Sequence, residues 1–401
     1  MAGVAEKARF YLERSVPQLR EWEEKGIFNK EEIRSIVKQR NDYEHKILSP
    51  GNLPSEWSSY AKWEQSLESL RSKRCQRLKI RHLESAYAGQ GRVLVIYERS
   101  VGRHPGSGAL WREYLAYTSS IKAARRWRTT MNKALRMMPK DPEMWVIAGR
   151  RFARDGDMAS ARSLFMRGCR FCTSDCILWV EYARCEMQWL ERMEKKVAAA
   201  GSAGKAAAAA SRSANDDDEL RLLDSDEEDD DETGLPVPES KAAAKVFNKD
   251  ESQQLQNSPA MDGAIPMAIF EISRKQSFYR ASVAEAFFLM FSSFRELSAH
   301  AKISQHVLGV MDEQFPNDPS SCNCHIQQPI LGVSPHSADF ARGLGEVLSR
   351  LGSYLETTTD RKALEEKTLA WINGFLGLQN LDEGIRGVLE YTKGKLAATD
   401  A

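Results

Sequence analysis

Four cysteines within a short stretch are the first candidates for chemistry in this sequence. Cys169 and Cys172 have the Cys-x2-Cys spacing that begins many zinc sites, and Cys176 and Cys185 follow. However, a second Cys-x2-Cys or a histidine pair at ligand spacing is missing, and the helical repeat described below places Cys169 and Cys185 at core positions. Residues 322–325 (CNCH) put three ligands into four residues, which strains a tetrahedral site. We therefore interpret these side chains as buried thiols and predict no metal site.

Motifs of the common enzyme classes are missing from the sequence. It contains no glycine-rich phosphate loop, nucleophile elbow or HExxH motif, so we predict a protein that is not an enzyme, with no catalytic residue and no cofactor. The seven cysteines are an odd number in a chain without a recognisable signal peptide, which favours reduced thiols inside the cell. The densest apolar run, residues 287–291, is too short to cross a bilayer of ~30 Å. We expect a soluble intracellular protein with no membrane partner.

Positive charge is concentrated in the stretch RSKRCQRLKIR, residues 71–81. Over the whole chain the 57 basic residues nearly balance the 56 acidic ones, but no acid interrupts this stretch. The run is either a solvated helix face or a contact for RNA phosphate or an acidic protein tail. The lack of nearby acids favours a contact. The predicted contact residues are Arg71, Lys73, Arg74, Arg77, Lys79 and Arg81.

Helices must position these residues, because nearly every ordered segment has apolar residues at helical spacing and none alternates as a strand does. Two columns of residues recur at intervals of thirty-four: Trp111, Trp145 and Trp179 in one, and Tyr97, Met131 and Phe165 in the other. Two columns that share one period indicate repeated helical hairpins. The predicted fold is all-α, a tetratricopeptide-like helical-hairpin solenoid in which the hairpins stack into a curved rod.

Packing explains the aromatic columns. Aromatic residues at positions i, i+3 and i+6 lie along one face of the first helix of a hairpin, and small residues on the second helix allow the two helices to approach closely. The copy at Trp57 precedes Trp111 by fifty-four residues, which predicts a lengthened first helix. We predict structural core roles for Trp57, Tyr60, Trp63, Tyr97, Trp111, Tyr114, Trp145, Trp179 and Tyr182.

An insertion splits one repeat between its two helices. Residues 270–273 (FEIS) echo residues 97–100 (YERS), but they lie about ninety residues after the Trp179 helix with which they should pair. The intervening residues 195–262 contain the alanine-rich KAAAAASRSAN and the acidic DDDELRLLDSDEEDDDETG, which predict disorder. The insertion is either a tolerated loop or a regulatory acidic tail. Ser225 precedes a block of acids and is the candidate phosphorylation site.

Four regions follow from these patterns. Residues 1–50 form an amino-terminal helical docking segment, 51–194 form repeats, 195–262 form the insertion, and 263–401 form further helical repeats and carboxy-terminal helices. Within the first region, apolar stripes exceed what one flanking repeat helix can cover, which predicts a protein-docking surface. The predicted docking residues are Leu12, Val16, Leu19, Ile33, Ile36 and Val37.

The repeat motif resembles a known type. Trp57, Tyr60, Trp63 and Glu64 in a first helix, followed by residues 97–101 (YERSV) in a second, are similar to the HAT repeat, the half-a-tetratricopeptide repeat. This resemblance implies a scaffold in an RNA-processing assembly rather than a catalyst.

The amino-terminal residues narrow the resemblance to one family. The run VPQLREWEEKGIFNKEEIRSIVKQRNDYEHKI, with the Trp57 helix and SLESLRSKRCQRLKI after it, resembles the opening of the U-three small nucleolar RNA-associated protein six family. The resemblance implies a subunit of UTP-B, a subcomplex of the nucleolar small-subunit processome, which folds and cleaves pre-ribosomal RNA. It implies WD-repeat subunits of UTP-B and the U-three snoRNA and pre-ribosomal RNA particle as partners, and a location in the nucleus and nucleolus.

Two hypotheses of function therefore stand. The first is a non-catalytic scaffold subunit of the processome, needed for pre-ribosomal RNA processing and small ribosomal subunit biogenesis. The second is a free-standing peptide-binding helical-repeat adaptor in messenger-RNA processing. The amino-terminal segment favours the first hypothesis, because it is not a repeat and an adaptor would not need it.

Overall fold

The computed structural model describes residues 2–203, 262–379 and 381–399. These ranges contain seventeen α-helices and no strand, so the predicted all-α class is confirmed. The described residues fall into two compact units: an amino-terminal unit that ends at Met144 and a carboxy-terminal unit that starts at Trp145. Within the described ranges, every helix is too short or too polar to cross a bilayer.

The amino-terminal unit is a series of helices, most of which pack against their neighbours in the chain. The helices are α1 Ala2–Glu13, α2 Val16–Glu24, α3 Lys30–Leu48, α4 Pro54–Leu78, α5 Ala88–Arg103, α6 Gly108–Ser120 and α7 Ala124–Met137, and α8 Pro142–Arg154 spans the division between the units. α4 pairs with α5 and α6 with α7, as hairpin repeats require. At 25 residues, α4 is the lengthened first helix that the sequence predicted.

Local sequence explains where α3 and α4 begin. The N–H of Asn29 donates to Glu32 at 2.8 Å and the N–H of Leu53 donates to Glu56 at 2.9 Å, so a glutamate three residues into each helix satisfies the N–H just before it. Pro54 stands at the first position of α4, where a missing N–H costs nothing.

The carboxy-terminal unit continues the hairpin arrangement. Its helices after α8 are α9 Met158–Phe171, α10 Ile177–Ala203, α11 Ala264–Ser273, α12 Ala281–Ser292, α13 His300–Gln314, α14 Pro319–Gln327, α15 Ala338–Thr357, α16 Arg361–Leu376 and α17 Glu383–Thr399. α10 packs against α11, which is the pairing across the insertion that the split repeat predicted.

The expected start of the insertion, near residue 195, is corrected by the structure. α10 continues to Ala203, so residues 195–203 are helical. The side chain of Lys195 pairs with Glu191 one turn earlier at 2.5 Å, and the alanines that follow have the highest helix propensity of any residue. The rest of the insertion, including the candidate phosphorylation site Ser225, lies outside the described residues.

Stacked aromatic rings explain the repeat columns. Tyr97 of α5 stacks on Tyr114 of α6 with ring centres 5.5 Å apart, and Phe165 of α9 stacks on Tyr182 of α10 at 5.1 Å. At Gly168 of α9, an added Cβ would stand 2.8 Å from the Trp145 side chain, so the close approach of α8 and α9 at this point requires a very small residue. Eight of the nine predicted core aromatics are at most 8% exposed, and the ninth, Trp63, is half-buried against Tyr43.

Candidate interaction surface of the amino-terminal unit

The basic stretch occupies the end of α4 and the segment that follows it, and its six cations have different surroundings. Arg71 is only 8% exposed. Its guanidinium donates to both carboxylate oxygens of Glu68, at 2.5 and 3.0 Å, and to the carbonyl of Ala86 at 3.3 Å. Burial lowers the pKa of Arg71, but the bonds to Glu68 outweigh it and the net shift is upward. Arg71 therefore stabilises the fold and is not an exposed contact.

Arg74 also stabilises the fold through contacts with residues outside α4. It forms a two-pronged pair with Glu32 of α3 at 2.7 and 2.8 Å, donates to the carbonyl of Ile27 at 3.0 Å and covers the ring of Phe28 at 4.5 Å. The hydrogen bond from Arg74 lowers the pKa of Glu32 to about 2. The expectation that this stretch lacks compensating acids is thus wrong for Arg71 and Arg74, because their acids come from the preceding turn of α4 and from another helix.

The remaining four cations form what we call the basic ridge: Lys73, Arg77, Lys79 and Arg81. All four side chains are exposed. None of them has an ion pair with an acid in the part of the chain that the structure describes. The basic ridge is the portion of the predicted contact that is free to meet a ligand.

A sharp turn at the end of α4 brings Lys79 and Arg81 next to the helix. Lys79 has a left-handed backbone with φ of 55°, and the N–H of Ile80 donates back to the carbonyl of Cys75 at 3.0 Å. Ile80 and Leu83 pack on the apolar core beneath. Since these two side chains point inward, the charged residues between and beside them are turned outward.

Glu21 of α2 fixes the other end of the segment after α4, at Glu84 and Ser85. Its carboxylate accepts from the side chain of Lys25 at 2.8 Å and from the backbone N–H groups of Glu84 and Ser85 at 2.7 and 2.9 Å, and also from the Ser85 hydroxyl. Burial alone would raise the pKa of Glu21, but these hydrogen bonds lower it to about 2. Lys25 in turn donates to the carbonyl of His82 at 2.5 Å. The segment after α4 is therefore fixed at both ends.

A cleft of about 910 Å³ lies between the end of α4, this segment and Lys25. Three basic side chains of the segment line it, namely Lys79, Arg81 and His82, and Glu84 is the one acid among its lining residues. A second depression of about 500 Å³ follows the exposed face of α4 and includes Lys62 and Lys73. The basic ridge thus runs along α4 and into a concave site.

The predicted docking residues do not form one surface. Leu19, Ile33 and Ile36 are at most 9% exposed and share a core with Trp22 and Leu67, so their assignment to a docking surface is corrected. The reason is that α2, α3 and α4 cover one another, whereas the sequence showed only the flanking helix. Leu12 is half-buried, and Val16 and Val37 are 39% and 38% exposed. Of the six predicted docking residues, only these three offer apolar surface.

A network of buried charges inside the amino-terminal unit was not predicted from the sequence. Arg40 is fully buried and forms a two-pronged pair with Glu64 at 2.7 and 3.0 Å. Glu44 accepts from the Tyr60 hydroxyl at 3.1 Å and from Arg99 at 2.9 and 3.1 Å. One signal was present: Arg40 stands inside the otherwise apolar stripe of α3, and a charge there requires a buried partner.

This network connects the non-repeat helices to the first repeat. Arg40 and Glu44 belong to α3, Glu64 to α4 and Arg99 to α5. The Arg99 guanidinium also lies 3.6 Å from the ring centre of Tyr11, which attaches α1 to α5. Glu64 and Arg99, the glutamate and the arginine of the repeat motif, therefore form ion pairs that join their helices to α3.

Most of the cysteines have the surroundings of core residues. All seven lie in the described ranges as thiols rather than disulfides, and five of them are buried. Cys169 and Cys176 are only half-buried, so the prediction of buried thiols is corrected for these two. Burial raises the pKa of Cys169 and of Cys185 to about 12. In the described ranges, no group of three His, Cys, Asp or Glu side chains is arranged to hold a metal ion.

Comparison with known proteins bears directly on this unit. Residues 12–92 match the family model of U3 small nucleolar RNA-associated protein 6. The protein of that name from Schizosaccharomyces pombe is 34% identical over 193 residues. The homologues of that name from Mus musculus and Homo sapiens are each 26% identical, over 196 and 198 residues. The resemblance to this family is confirmed.

The matched part is less than half of this chain and less than half of each relative. The alignments cover 47% to 48% of this chain and 40% or less of the relatives, so the chain spans less than half the length of the curated relatives it matches. The family match from 12 to 92 includes α2, α3, α4, the segment after α4 and the start of α5. It therefore includes the Arg40–Glu64 pair, the Arg74–Glu32 pair and the whole basic ridge.

Proposed function

We propose that this chain is a non-catalytic scaffold subunit of the small-subunit processome, the particle that contains U3 small nucleolar RNA. In this role it acts in the nucleolus and supports pre-ribosomal RNA processing and small ribosomal subunit biogenesis. The observation that carries the proposal is the match of residues 12–92 to the U3 small nucleolar RNA-associated protein 6 family, together with relatives of that name from three organisms.

The architecture of the amino-terminal unit supports a scaffold role. Two ion pairs with buried carboxylates join its helices, namely Arg40 with Glu64 and Arg99 with Glu44. Helical hairpins joined in this way present extended surfaces, which suit the binding of large partners.

The finer part of the proposal is membership of the UTP-B subcomplex, with its WD-repeat subunits as direct partners. Leu12, Val16 and Val37, the predicted docking residues that keep apolar surface, are the proposed docking residues. Deleting residues 1–50 cannot test this site, because the deletion would remove Trp22, which is 1% exposed, and expose the core around it. Point substitutions at exposed positions are needed.

The test is purification of the tagged full-length chain from cells, with U3 small nucleolar RNA measured by quantitative PCR and proteins by mass spectrometry. We expect enrichment of U3 RNA and of WD-repeat proteins. Val37→Asp should release the WD-repeat proteins, whereas Val95→Asp should not; Val95 is a matched control because it too is 38% exposed on a helix but lies on α5.

The same experiment separates the alternatives. Purified protein without U3 RNA, but with messenger-RNA processing factors, would replace the proposal with the peptide-binding adaptor. Retention of the WD-repeat proteins by Val37→Asp, with U3 RNA still present, would reject the docking site and keep the scaffold role.

A further inference from the structure

We propose that the basic ridge and the cleft beside it bind the phosphate backbone of RNA. This inference rests on the proposed function, because it names the ligand of a surface inside the family-matched residues. The ligand class is RNA, bound through its phosphates.

The cations of one stretch of the sequence divide into two groups. Six cations occur between residues 71 and 81, and the fold uses two of them, Arg71 and Arg74, in ion pairs with Glu68 and Glu32. The Arg74–Glu32 pair joins α4 to α3, whereas the Arg71–Glu68 pair lies within α4. The four cations of the basic ridge are left exposed and without an ion-pair partner among the described residues, so they would gain from an anion.

The cations of the basic ridge follow one another along α4 and past its end. Lys73 and Arg77 are four residues apart on α4, so their Cα atoms are about 6 Å apart along the helix axis. The left-handed turn at Lys79 then carries the charge onward to Arg81. A line of separate cations that continues past a helix end suits a chain of separate phosphates.

The backbone that carries part of the basic ridge is held in place by the fold. The segment that carries Lys79 and Arg81 is anchored at one end by the bond from Ile80 to the carbonyl of Cys75 and at the other by Glu21. Ile80 and Leu83 are packed on the core between the two anchors. Binding therefore requires little ordering of the backbone, which lowers its entropic cost.

The electrostatics of the helix end limit how the anion is held. The carboxy-terminal end of a helix carries partial negative charge, which repels anions and attracts cations. The carbonyls of Cys75 and Gln76 already accept the N–H groups of Ile80 and Lys79. Phosphates would consequently be bound by the side chains alone, with His82 as a further donor at the cleft wall. A cleft of about 910 Å³ has room for a nucleotide.

The test is fluorescence anisotropy of the purified full-length protein with a labelled single-stranded RNA of mixed sequence, about 20 nucleotides long, over a series of salt concentrations. The ridge variant combines Lys73→Gln, Arg77→Gln, Lys79→Gln and Arg81→Gln. The control variant combines Arg20→Gln, Lys30→Gln, Arg34→Gln and Lys38→Gln. The control removes two arginines and two lysines that are also exposed, belong to the same unit and do not line the cleft.

We expect the ridge variant to bind RNA at least about tenfold more weakly at low salt, with the slope of log affinity against log salt falling by about 0.7 for each lost phosphate contact. The control variant should bind like the unaltered protein. Circular dichroism spectra should be the same for all three proteins, since the substitutions are on the surface.

Three outcomes would overturn the inference: unaltered RNA binding by the ridge variant, an equal loss in the control variant, or binding of poly-L-glutamate as tight as that of RNA. The last outcome would assign the ridge to an acidic protein tail. The result is separable from the test of the proposed function. U3 RNA in the purified complex without RNA binding by the isolated chain would reject only this inference, and RNA binding in isolation without U3 RNA in the complex would reject the proposed function.

Discussion

The two units of the molecule stabilise their interiors in different ways. In the amino-terminal unit, the Arg40–Glu64 pair joins α3 to α4 with both side chains at most 2% exposed. The carboxy-terminal unit also contains buried carboxylates, but their partners reach solvent: Arg162 is 30% exposed and Lys367 is 31% exposed. Around α11 and α12 its interior is filled by four phenylalanines, namely Phe270, Phe287, Phe288 and Phe291, each at most 1% exposed.

We infer that this difference affects which helix packing is adopted more than how stable the unit is. Apolar side chains can pack in several similar registers, whereas a fully buried charge is tolerated only where its partner is in place. We infer that the Arg40–Glu64 pair fixes how the non-repeat helices dock on the first repeat. The pair lies within the residues that match the family.

The largest expected effect is the same in both units and tests whether their aromatic cores are equally well packed. Trp111→Ala in the first and Phe288→Ala in the second should each lower the free energy of unfolding by ~3–5 kcal/mol, because each leaves a large cavity in a buried site. Urea unfolding followed by circular dichroism measures this. Tyr391→Ala is the control, since this residue is 76% exposed and its loss should cost less than ~0.5 kcal/mol. A much smaller cost for Phe288→Ala would mean a loosely packed second core.

The second-largest expected effect is the cost in stability of breaking the Arg40–Glu64 pair. Arg40→Met should cost about 3 kcal/mol, because it leaves the Glu64 carboxylate buried without a cation. Arg40→Met combined with Glu64→Leu should cost about 1 kcal/mol or less, since both charges are then removed. A double-mutant cycle by urea unfolding gives the coupling. In the carboxy-terminal unit, Arg162→Met should cost less than Arg40→Met, because the Arg162 side chain is 30% exposed and water can approach the Glu186 carboxylate once the arginine is removed. Equal costs at Arg40 and Arg162 would remove the contrast between the units.

The smallest effect is a dependence of stability on pH. The pKa of Glu32 falls from 4.5 to about 2 in the folded protein, so its pair with Arg74 stabilises the fold above about pH 4.5, and this contribution is lost as the pH falls towards 2. Because Glu32 is 39% exposed, we expect only about 1 kcal/mol. Glu32→Gln should therefore destabilise the protein at pH 7 and leave its stability unchanged near pH 2. The exposed neighbour substitution Glu31→Gln is the control, and a difference that persists at pH 2 would contradict the assignment.

Periodicity in the sequence was sufficient for the helical repeats. Trp111, Trp145 and Trp179 share a spacing that only a repeated hairpin explains, and the split repeat was visible because residues 270–273 repeat the pattern of 97–100. The sequence did not predict where α10 ends, since an alanine-rich run is compatible both with a helix and with a solvated linker. The local sequence does not contain the energy difference between them.

The candidate contact was only partly visible. The sequence located all six cations of residues 71–81, but it could not separate the two that the fold uses from the four that remain exposed. Arg71 pairs within its own helix, one turn away, whereas the partner of Arg74 is forty-two residues earlier in the chain. Distance along the chain says nothing about distance in space for such a pair.

The sequence by itself determined the helical class, the period of the repeat, the position of the charged stretch and the family resemblance, because these depend on residue types at short, regular spacing. The tertiary structure decided which surface is available. It buried Leu19, Ile33 and Ile36, left Val16 and Val37 exposed, and paired Arg74 while leaving Arg77 free of an ion pair within the described residues. Burial and ion pairing depend on which helices meet, and that is settled by packing between segments far apart in the chain.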